Sequence, residues 1–206
     1  MQETAALPAA PPPKRGHRLW SVLSTLGILL IAPLVAVGLT AFVFQSYQVS
    51  GQSMQPTLQN DDRLVIWKLP RTWSHLTGHA FVPARGDVIV VKTSRGADVG
   101  LDPAKQIIKR VVGLPGDRVV VKDGILTVYN ASHRGGFQPD KTLPYGKAIE
   151  STNNDGTWQI GQNELFVCGD NRLNSADSRI FGPISTSDVV GKLVLRVLPI
   201  SKSERF

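Results

Sequence analysis

A long apolar stretch near the start of the chain is the clearest pattern in the sequence. Residues 20–44 are almost wholly apolar, and no charged side chain occurs between Arg18 and Asp61. About 25 residues of helix rise roughly 37 Å, which is enough to cross a hydrocarbon core of roughly 30 Å. Proline and glycine inside such a stretch are tolerated in a bilayer. We therefore predict a transmembrane helix over residues 20–44.

The charges before this helix predict its orientation. A cleaved signal peptide has an apolar region of only about 7–15 residues, so an uncleaved signal anchor is favoured. Lys14, Arg15 and Arg18 precede the helix, and positively charged flanks remain in the cytoplasm. This pattern predicts a cytoplasmic tail over residues 1–19 and an extracytoplasmic domain over residues 45–206.

Beyond the anchor, short apolar runs rich in valine and isoleucine replace any helical periodicity. Turn-forming residues separate them, which is typical of a β-rich domain. Asp123-Gly124 joins two runs directly, as in a tight hairpin. Residues 70–84 and 130–161 are predicted to be loops. The predicted strands are residues 63–67, 87–92, 106–112, 118–122, 125–129, 164–168 and 189–198. The expected fold class is mainly β, preceded by the transmembrane helix.

Charge and cysteine content narrow the partners and the chemistry. The net charge of +7 suits either nucleic acid or an acidic membrane surface, and the anchor favours lipid. The single cysteine, Cys168, excludes an intramolecular disulfide, and its apolar surroundings predict a small packed hydrophobe. No group of cysteine and histidine has zinc-ligand spacing, so neither a metal nor a cofactor is expected.

A nucleophile needs a base, and histidine is the usual one. His17 lies on the cytoplasmic side of the anchor, and the other three histidines fall in the predicted loops. No Gly-x-Ser-x-Gly elbow occurs, although a Ser-His-Asp triad stays open because triads assemble in space. Ser53 follows the anchor in a polar segment with glycine and proline. That segment suits either a presented nucleophile or a plain linker.

A lysine lies among aliphatic residues in one predicted strand. Alternate residues of a strand share a face, so Ile107, Lys109 and Val111 point the same way. Burial lowers the pKa of a lysine from about 10.4, and the neutral amine can then take a proton from a serine. The alternative is an exposed lysine whose stem covers the strand. Residues 169–179, rich in charged and amide side chains, form either a capped surface turn or a rigid support for an active site.

Four segments, in this order, resemble the motifs of type I signal peptidases, which are Ser-Lys serine proteases that remove signal peptides from exported proteins. They are residues 53–58 (SMQPTL), 85–90 (RGDVIV), 109–117 (KRVVGLPGD) and 169–179 (GDNRLNSADSR). The resemblance covers nearly all of residues 20–200. It implies a membrane-bound endopeptidase with a β-rich catalytic domain, which cuts after small residues at Ala-x-Ala sites through an acyl-enzyme.

The resemblance also implies roles for individual residues. Ser53 would be the nucleophile and Lys109 the general base, and Ser175 would hold the lysine amine in place. Supporting ion pairs would join Asp170 to Arg110 and Asp177 to Arg179. The pockets for the cleaved peptide would be lined by Tyr47, Val49, Met54, Ile107 and Ile108. The substrate would lie extended between the strands leading to the two catalytic residues.

Two positions depart from the family pattern. Some members carry a serine where Gly51 stands, and its hydroxyl helps to hold the oxyanion, so here the Ser53 N–H would act with another donor. Leu173 stands where the family commonly has aspartate, which predicts altered packing.

Two alternative functions remain. One is a soluble self-cleaving repressor, disfavoured by the anchor; the other is an inactive, membrane-tethered domain that binds exported peptides.

The implied partners are the signal peptides of preproteins, membrane lipid and the secretion translocon, without nucleic acid. The expected location is the plasma membrane of a bacterium, crossed once, with the N-terminus in the cytoplasm. A further hypothesis places an aromatic surface on the bilayer, and ordinary core and loop aromatics are its alternative. The residues of that surface are Trp67, Lys68, Leu69, Arg71, Trp73 and Phe81.

Overall fold

The described part of the chain comprises one apolar helix and a β-rich unit. The structure, a computed structural model, describes residues 16–68, 72, 78, 81–93, 102, 105–142 and 151–206. The chain divides into two compact units, residues 1–39 and residues 40–206. The predicted fold class is confirmed: the chain is mainly β, with an apolar helix near its N-terminus.

The N-terminal helix, α1, spans Gly16–Gly38 and continues as a π-helical turn over Leu39–Val43. Its segment Trp20–Gly38 is long and apolar enough to cross a membrane, by length and composition. Leu30 and Leu34 on this helix are 71% and 73% exposed. The helical run ends at Val43, one residue before the predicted end, because Phe44 already belongs to a strand.

The described residues of the β-rich unit form eleven strands in an antiparallel arrangement. They are β1 (Phe44–Gln48), β2 (Arg63–Trp67), β3 (Val88–Lys92), β4 (Gln106–Gly113), β5 (Arg118–Lys122), β6 (Ile125–Tyr129), β7 (Gly156–Gln159), β8 (Glu164–Cys168), β9 (Ile184–Ser185), β10 (Val189–Leu198) and β11 (Glu204–Arg205). The short helices are α2 (Pro139–Thr142) and α3 (Ser178–Phe181), with 3-10 turns at Thr186–Asp188 and Ile200–Lys202.

The seven predicted strands are all present, with ends that agree to within one residue. Four further strands were not among those predicted from apolar runs, namely β1, β7, β9 and β11, although the family resemblance implied a strand leading to Ser53. The prediction that residues 130–161 form only a loop is wrong, since α2 and β7 lie inside that range. Both elements are four residues long, too short to show a periodic pattern.

The larger sheet has eight strands and brings distant parts of the chain together. Its order is β1-β2-β10-β3-β4-β8-β9, with β11 paired to β10. Although three strands separate β1 from β4 in this order, the Tyr47 hydroxyl donates a hydrogen bond of 2.7 Å to Gln106 Oε1. The sheet therefore curls until its first strand faces the beginning of β4.

Three hydrophobic clusters fill the unit. The loop cluster lies inside the curl and joins the sheet to the segment after β1; its members are Val49, Met54, Leu58, Leu64, Ile66, Val88, Val90, Val190 and Leu193. The hairpin cluster packs the β6-β5-β7 sheet and includes Phe166 and Cys168. The sheet cluster includes Ile89, Val111 and Val167. Full burial of an aliphatic side chain is worth about 1.5–3 kcal/mol, so Leu58 and Met54 hold the segment around Ser53 on the sheet.

Candidate active site

Ser53 lies in a tight turn between β1 and β2. The turn is closed by hydrogen bonds from Gln55 N to the Gln52 carbonyl, 3.1 Å, and from Leu58 N to the Met54 carbonyl, 2.9 Å. Met54 and Leu58 are buried, while Ser53 is partly exposed. The apolar residues thus fix the turn, and the serine hydroxyl is presented beside β4.

Lys109 lies on β4 and reaches this hydroxyl. Its Nζ is 2.7 Å from Ser53 Oγ and 3.1 Å from the Ile108 carbonyl oxygen. The side chain is buried, with the residue only 3% exposed. Burial lowers the pKa of Lys109 to about 8, against the raising effect of the Asp177 and Asp170 charges. A substantial neutral fraction of this amine therefore exists near neutral pH.

The first predicted ion pair, Arg110 with Asp170, ties together three segments around Ser53 and Lys109. Arg110 donates to Asp170 from Nε, 2.8 Å, and from Nη2, 2.6 Å, a two-point contact in the buried interior. Thr57 Oγ donates to the same carboxylate at 2.6 Å, and Arg110 Nη1 donates to the Gly86 carbonyl at 2.7 Å. The lysine strand, the serine turn and the segment after β8 are therefore tied at one carboxylate.

The second predicted ion pair, Asp177 with Arg179, stabilises the segment of residues 169–179 from within. Asp177 and Arg179 side chains are both fully buried and 2.7 Å apart. Asp177 also accepts from Gly169 N at 2.9 Å. Burial alone would lower the pKa of Arg179, but the hydrogen bond and charge of Asp177 raise it above its ordinary value. The guanidinium stays charged and fixes the loop that carries Ser175.

Ser175 does not make the expected contact with the lysine. Its buried Oγ has no hydrogen-bond partner in the described ranges, whereas the Lys109 amine bonds to Ser53 and the Ile108 carbonyl. Ser175 nevertheless lies close to the dyad, since a Cβ added at Gly169 would collide with both the Ser175 hydroxyl and the Ser53 carbonyl. Glycine at 169 is what permits this approach.

The predicted pocket residues divide between two clusters. Val49 and Met54 are buried at 5% and 2% exposure in the loop cluster, and Tyr47 and Ile108 pack against it. Ile107 packs instead against the sheet cluster, because alternate strand residues face opposite sides. Tyr47, Val49, Met54 and Ile108 therefore share one wall, and Ile107 lies apart from it.

The two departures from the family pattern have distinct settings. Gly51 has φ +101°, a backbone conformation that residues other than glycine rarely adopt. Its N–H donates to Asn60 Oδ1 at 2.9 Å. The turn is thus built around glycine at this position. Leu173 is 69% exposed, so the predicted change in packing is wrong: this side chain lies on the surface.

Sequence reasoning missed residues that brace the site. Thr57 lies within a quoted motif without an assigned role, yet it bonds to Asp170. Arg172 donates to Asp140 at 2.6 and 2.7 Å and to the Gly169 carbonyl at 2.9 Å. No local pattern marks the Asp140 contact, since its partner lies 32 residues away. Cys168, buried and unpaired, is a packed residue of the hairpin cluster as predicted.

Comparison with known proteins settles the family. A family model described as signal peptidase, peptidase S26, matches residues 22–198. The chain belongs to the signal peptidase family. This confirms the predicted enzyme class, a signal peptidase of the serine endopeptidase kind. Among the described residues, no group of three or more potential metal ligands comes together.

Two relatives and one solved structure illustrate the extent of the similarity. Signal peptidase I of Bacillus caldolyticus is 32% identical over 183 residues, covering 84% of this chain and 89% of that protein. A probable signal peptidase I-1 of Synechocystis is 32% identical over 177 residues, covering 85% and 82%. A crystal structure of a signal peptidase I from Enterococcus faecalis aligns with 55% of this chain and 98% of its own, at 25% identity and TM-score 0.40.

Proposed function

We propose that this signal peptidase removes signal peptides through a Ser53–Lys109 dyad. The observation that carries the proposal is the 2.7 Å contact between Lys109 Nζ and Ser53 Oγ. No histidine is needed for proton transfer, because burial lowers the pKa of Lys109 far enough for a neutral amine to act as base. The names of the relatives, signal peptidase I, supply the substrate class.

The proposed reaction uses only the two side chains of this dyad and water. Lys109 takes the Ser53 proton while Ser53 Oγ attacks the carbonyl carbon before the scissile bond. The ammonium then protonates the departing amine, which leaves Ser53 as an ester. A water molecule that loses a proton to the same amine then attacks the ester carbonyl. The Lys109 ammonium returns that proton to the departing Ser53 Oγ, which releases the signal peptide with a carboxylate end and restores the enzyme. The Arg110–Asp170 and Asp177–Arg179 pairs support the two catalytic side chains and exchange no proton in this scheme.

The oxyanion would be held by backbone at the serine turn. Among the described residues, the Ser53 N–H has no acceptor, so it is available to a developing negative charge. Gly51 has no hydroxyl to contribute, and its own N–H is engaged by Asn60. The second donor is therefore proposed to be water.

An extended substrate would bind against β4. Residues 110–113 of β4 pair with β8, and no described strand pairs with residues 106–109 on that side. β1 is the terminal strand of the sheet and faces this segment through Tyr47 and Gln106. A peptide strand between them would gain main-chain hydrogen bonds and place its small side chains against Val49, Met54 and Ile108, which favours Ala-x-Ala sites.

Cleavage of a preprotein tests the proposal directly. The detergent-solubilised protein is expected to cut a preprotein with an Ala-x-Ala site after the second alanine. Ser53→Ala and Lys109→Ala are expected to cut none within the assay. The products are identified by mass spectrometry of the new N-terminus. If the wild-type protein cuts nothing even with lipid supplied, the better description is a membrane-tethered domain that binds exported peptides.

The pKa of Lys109 predicts the pH dependence. Only the neutral amine accepts a proton, so kcat/KM is expected to rise about tenfold per pH unit below pH 8 and to level off above it. The measurement is a pH–rate profile with a peptide substrate that has no group titrating between pH 6 and 9. A profile that is flat from pH 6 to 9 would contradict the assignment of Lys109 as the base.

We place the anchor over residues 20–44, the tail before it in the cytoplasm, and the catalytic domain outside a bacterial plasma membrane. Arg18, which precedes the apolar anchor, supports this orientation. Signal peptides emerge from the secretion translocon, which makes that assembly a natural neighbour of the domain.

The second proposed partner is membrane lipid, bound at an apolar surface of β1, β2 and β10. Trp67 lies opposite Phe44 in the β1–β2 pair, and Phe44 is 41% exposed. Further exposed apolar side chains on β10 and after it are Leu195, Val197, Leu198 and Ile200. Phe81 packs against the sheet cluster, and Leu69, Arg71 and Trp73 lie outside the described residues.

Vesicle binding tests this surface. For residues 45–206, which lack the anchor, replacing Trp67 and Ile200 together with alanine is expected to lower partitioning onto anionic vesicles about tenfold, because apolar area is lost. Ile125→Ala, an exposed apolar residue at the β5–β6 turn, is the matched control. Unchanged partitioning in a vesicle sedimentation assay would count against the lipid-binding role of this surface.

A further inference from the structure

Arg196 on β10 joins the serine turn to the last residues of the chain. The residue is only 8% exposed. Nη1 donates to the Thr57 carbonyl at 2.7 Å and lies 3.3 Å from Asp62 Oδ2. Nε donates to the Lys202 carbonyl at 2.7 Å, and Nη2 to Glu204 Oε2 at 2.7 Å. One guanidinium therefore binds two groups of the segment after Ser53 and two groups of the C-terminal segment.

Both contacts on the serine side act on the end of the turn. Thr57 follows Ser53 by four residues, and its hydroxyl is already fixed to Asp170. Asp62 is buried and accepts from Gln59 N at 2.9 Å. Arg196 thus bonds to the Thr57 carbonyl and to the carboxylate that holds the next part of the chain. The bond from Arg196 to the half-buried Thr57 carbonyl fixes the position of that carbonyl, and its loss would free this segment to shift.

The surroundings show that apolar packing does not replace these contacts. A cavity of about 640 Å³ lies between the serine turn and the C-terminal segment. Pro56, Thr57 and Gln59 line one side, and Lys202 and Glu204 line the other. Because open space adjoins this side of the turn, the polar contacts from Arg196 add a restraint there to the apolar packing of Met54 and Leu58.

We propose that Arg196 is a positioning residue for the peptidase reaction. It holds the Thr57 carbonyl, and through the turn it keeps Ser53 Oγ within reach of Lys109. It touches neither substrate nor reacting atoms. The inference rests on the proposed Ser53–Lys109 mechanism. Displacement of a reacting group by about 1 Å can cost about a hundredfold in rate, so a small shift of this turn would be visible in kcat.

Lys192 provides a matched control on the same strand. It lines the same cavity and pairs with an acid, Asp87, at 2.7 Å, but its ion pair does not involve the serine turn. Arg196→Gln and Lys192→Gln each remove one positive charge from β10. They differ in whether the Thr57 carbonyl loses its donor.

The experiment compares both variants with the full-length wild type in detergent. Arg196→Gln is expected to lower kcat about ten- to a hundredfold with KM within about twofold, and Lys192→Gln to leave both within about twofold. Amide hydrogen exchange, read by mass spectrometry, is expected to accelerate at residues 55–59 in Arg196→Gln alone. Exchange in β5 and β6 is expected to stay at its wild-type rate, which separates a local effect from general loss of stability.

Three results would overturn the proposal: kcat within twofold of an active wild type, unchanged exchange at residues 55–59, or acceleration of equal size in β5 and β6. If the wild type itself cuts no preprotein, the mechanism fails on its own account. The exchange data then still decide whether Arg196 orders the turn.

Discussion

Lys109→Arg is expected to lower kcat/KM by about a thousandfold or more. Arginine keeps the positive charge and much of the length, but its guanidinium stays protonated at any accessible pH and cannot take the Ser53 proton. Loss of a general base typically costs about 10²–10⁴-fold. The measurement is initial-rate cleavage of an Ala-x-Ala preprotein at pH 8, where the native amine is about half neutral.

The matched control for this variant is Lys122→Arg. Lys122 is exposed at the end of β5, in the smaller sheet rather than the one that carries Lys109, so the same exchange there is expected to leave the rate unchanged. Circular dichroism and thermal unfolding show whether the Lys109→Arg protein is folded. A folded Lys109→Arg enzyme with wild-type activity would refute lysine as the base.

Asp177→Asn is expected to lower the free energy of unfolding by about 3 kcal/mol or more. Arg179 would remain charged in the interior after losing its counterion, and removal of one partner of a buried pair typically costs about 3–5 kcal/mol. An asparagine side chain also offers one acceptor oxygen where the carboxylate now accepts from Gly169 N, Arg179 Nε and Arg179 Nη2. Denaturant unfolding followed by tryptophan fluorescence measures the change.

The same chemical exchange at the surface provides the comparison. Asp123 is exposed in the β5–β6 turn with φ +51°, a conformation that asparagine also tolerates. Asp123→Asn is therefore expected to change stability by less than about 0.5 kcal/mol. Equal effects at the two positions would show that burial of the Asp177–Arg179 pair does not matter to the fold.

The strands predicted from sequence are those with aliphatic runs between turn residues, such as Arg63–Trp67 and Arg118–Lys122. β1 was missed because Phe44–Gln48 is largely polar and directly follows the apolar helix. It forms a strand because all five of its residues pair with β2. Such pairing is a tertiary effect that a local pattern does not contain.

In the candidate site, too, some features were predicted from the sequence and others were not. The proximity of Ser53 and Lys109 was expected from the resemblance to a family, since spacing alone does not join residues 56 positions apart. The Arg196 contact with the Thr57 carbonyl spans 139 positions and ends on a backbone atom, which carries no side-chain signature. The absence of a hydrogen-bond partner for the Ser175 hydroxyl likewise depends on distances within the loop, which amino-acid composition does not specify.

The buried position of Lys109 has a consequence for the history of the fold. The unfolded lysine, with pKa 10.5, binds a proton more tightly than the folded one, with pKa about 8. Stability therefore rises between pH 8 and 10.5, and at neutral pH the burial costs on the order of 3 kcal/mol. An apolar residue of similar length would escape that penalty. Selection for stability alone would therefore favour an apolar residue in place of Lys109, leaving well-folded, inactive descendants.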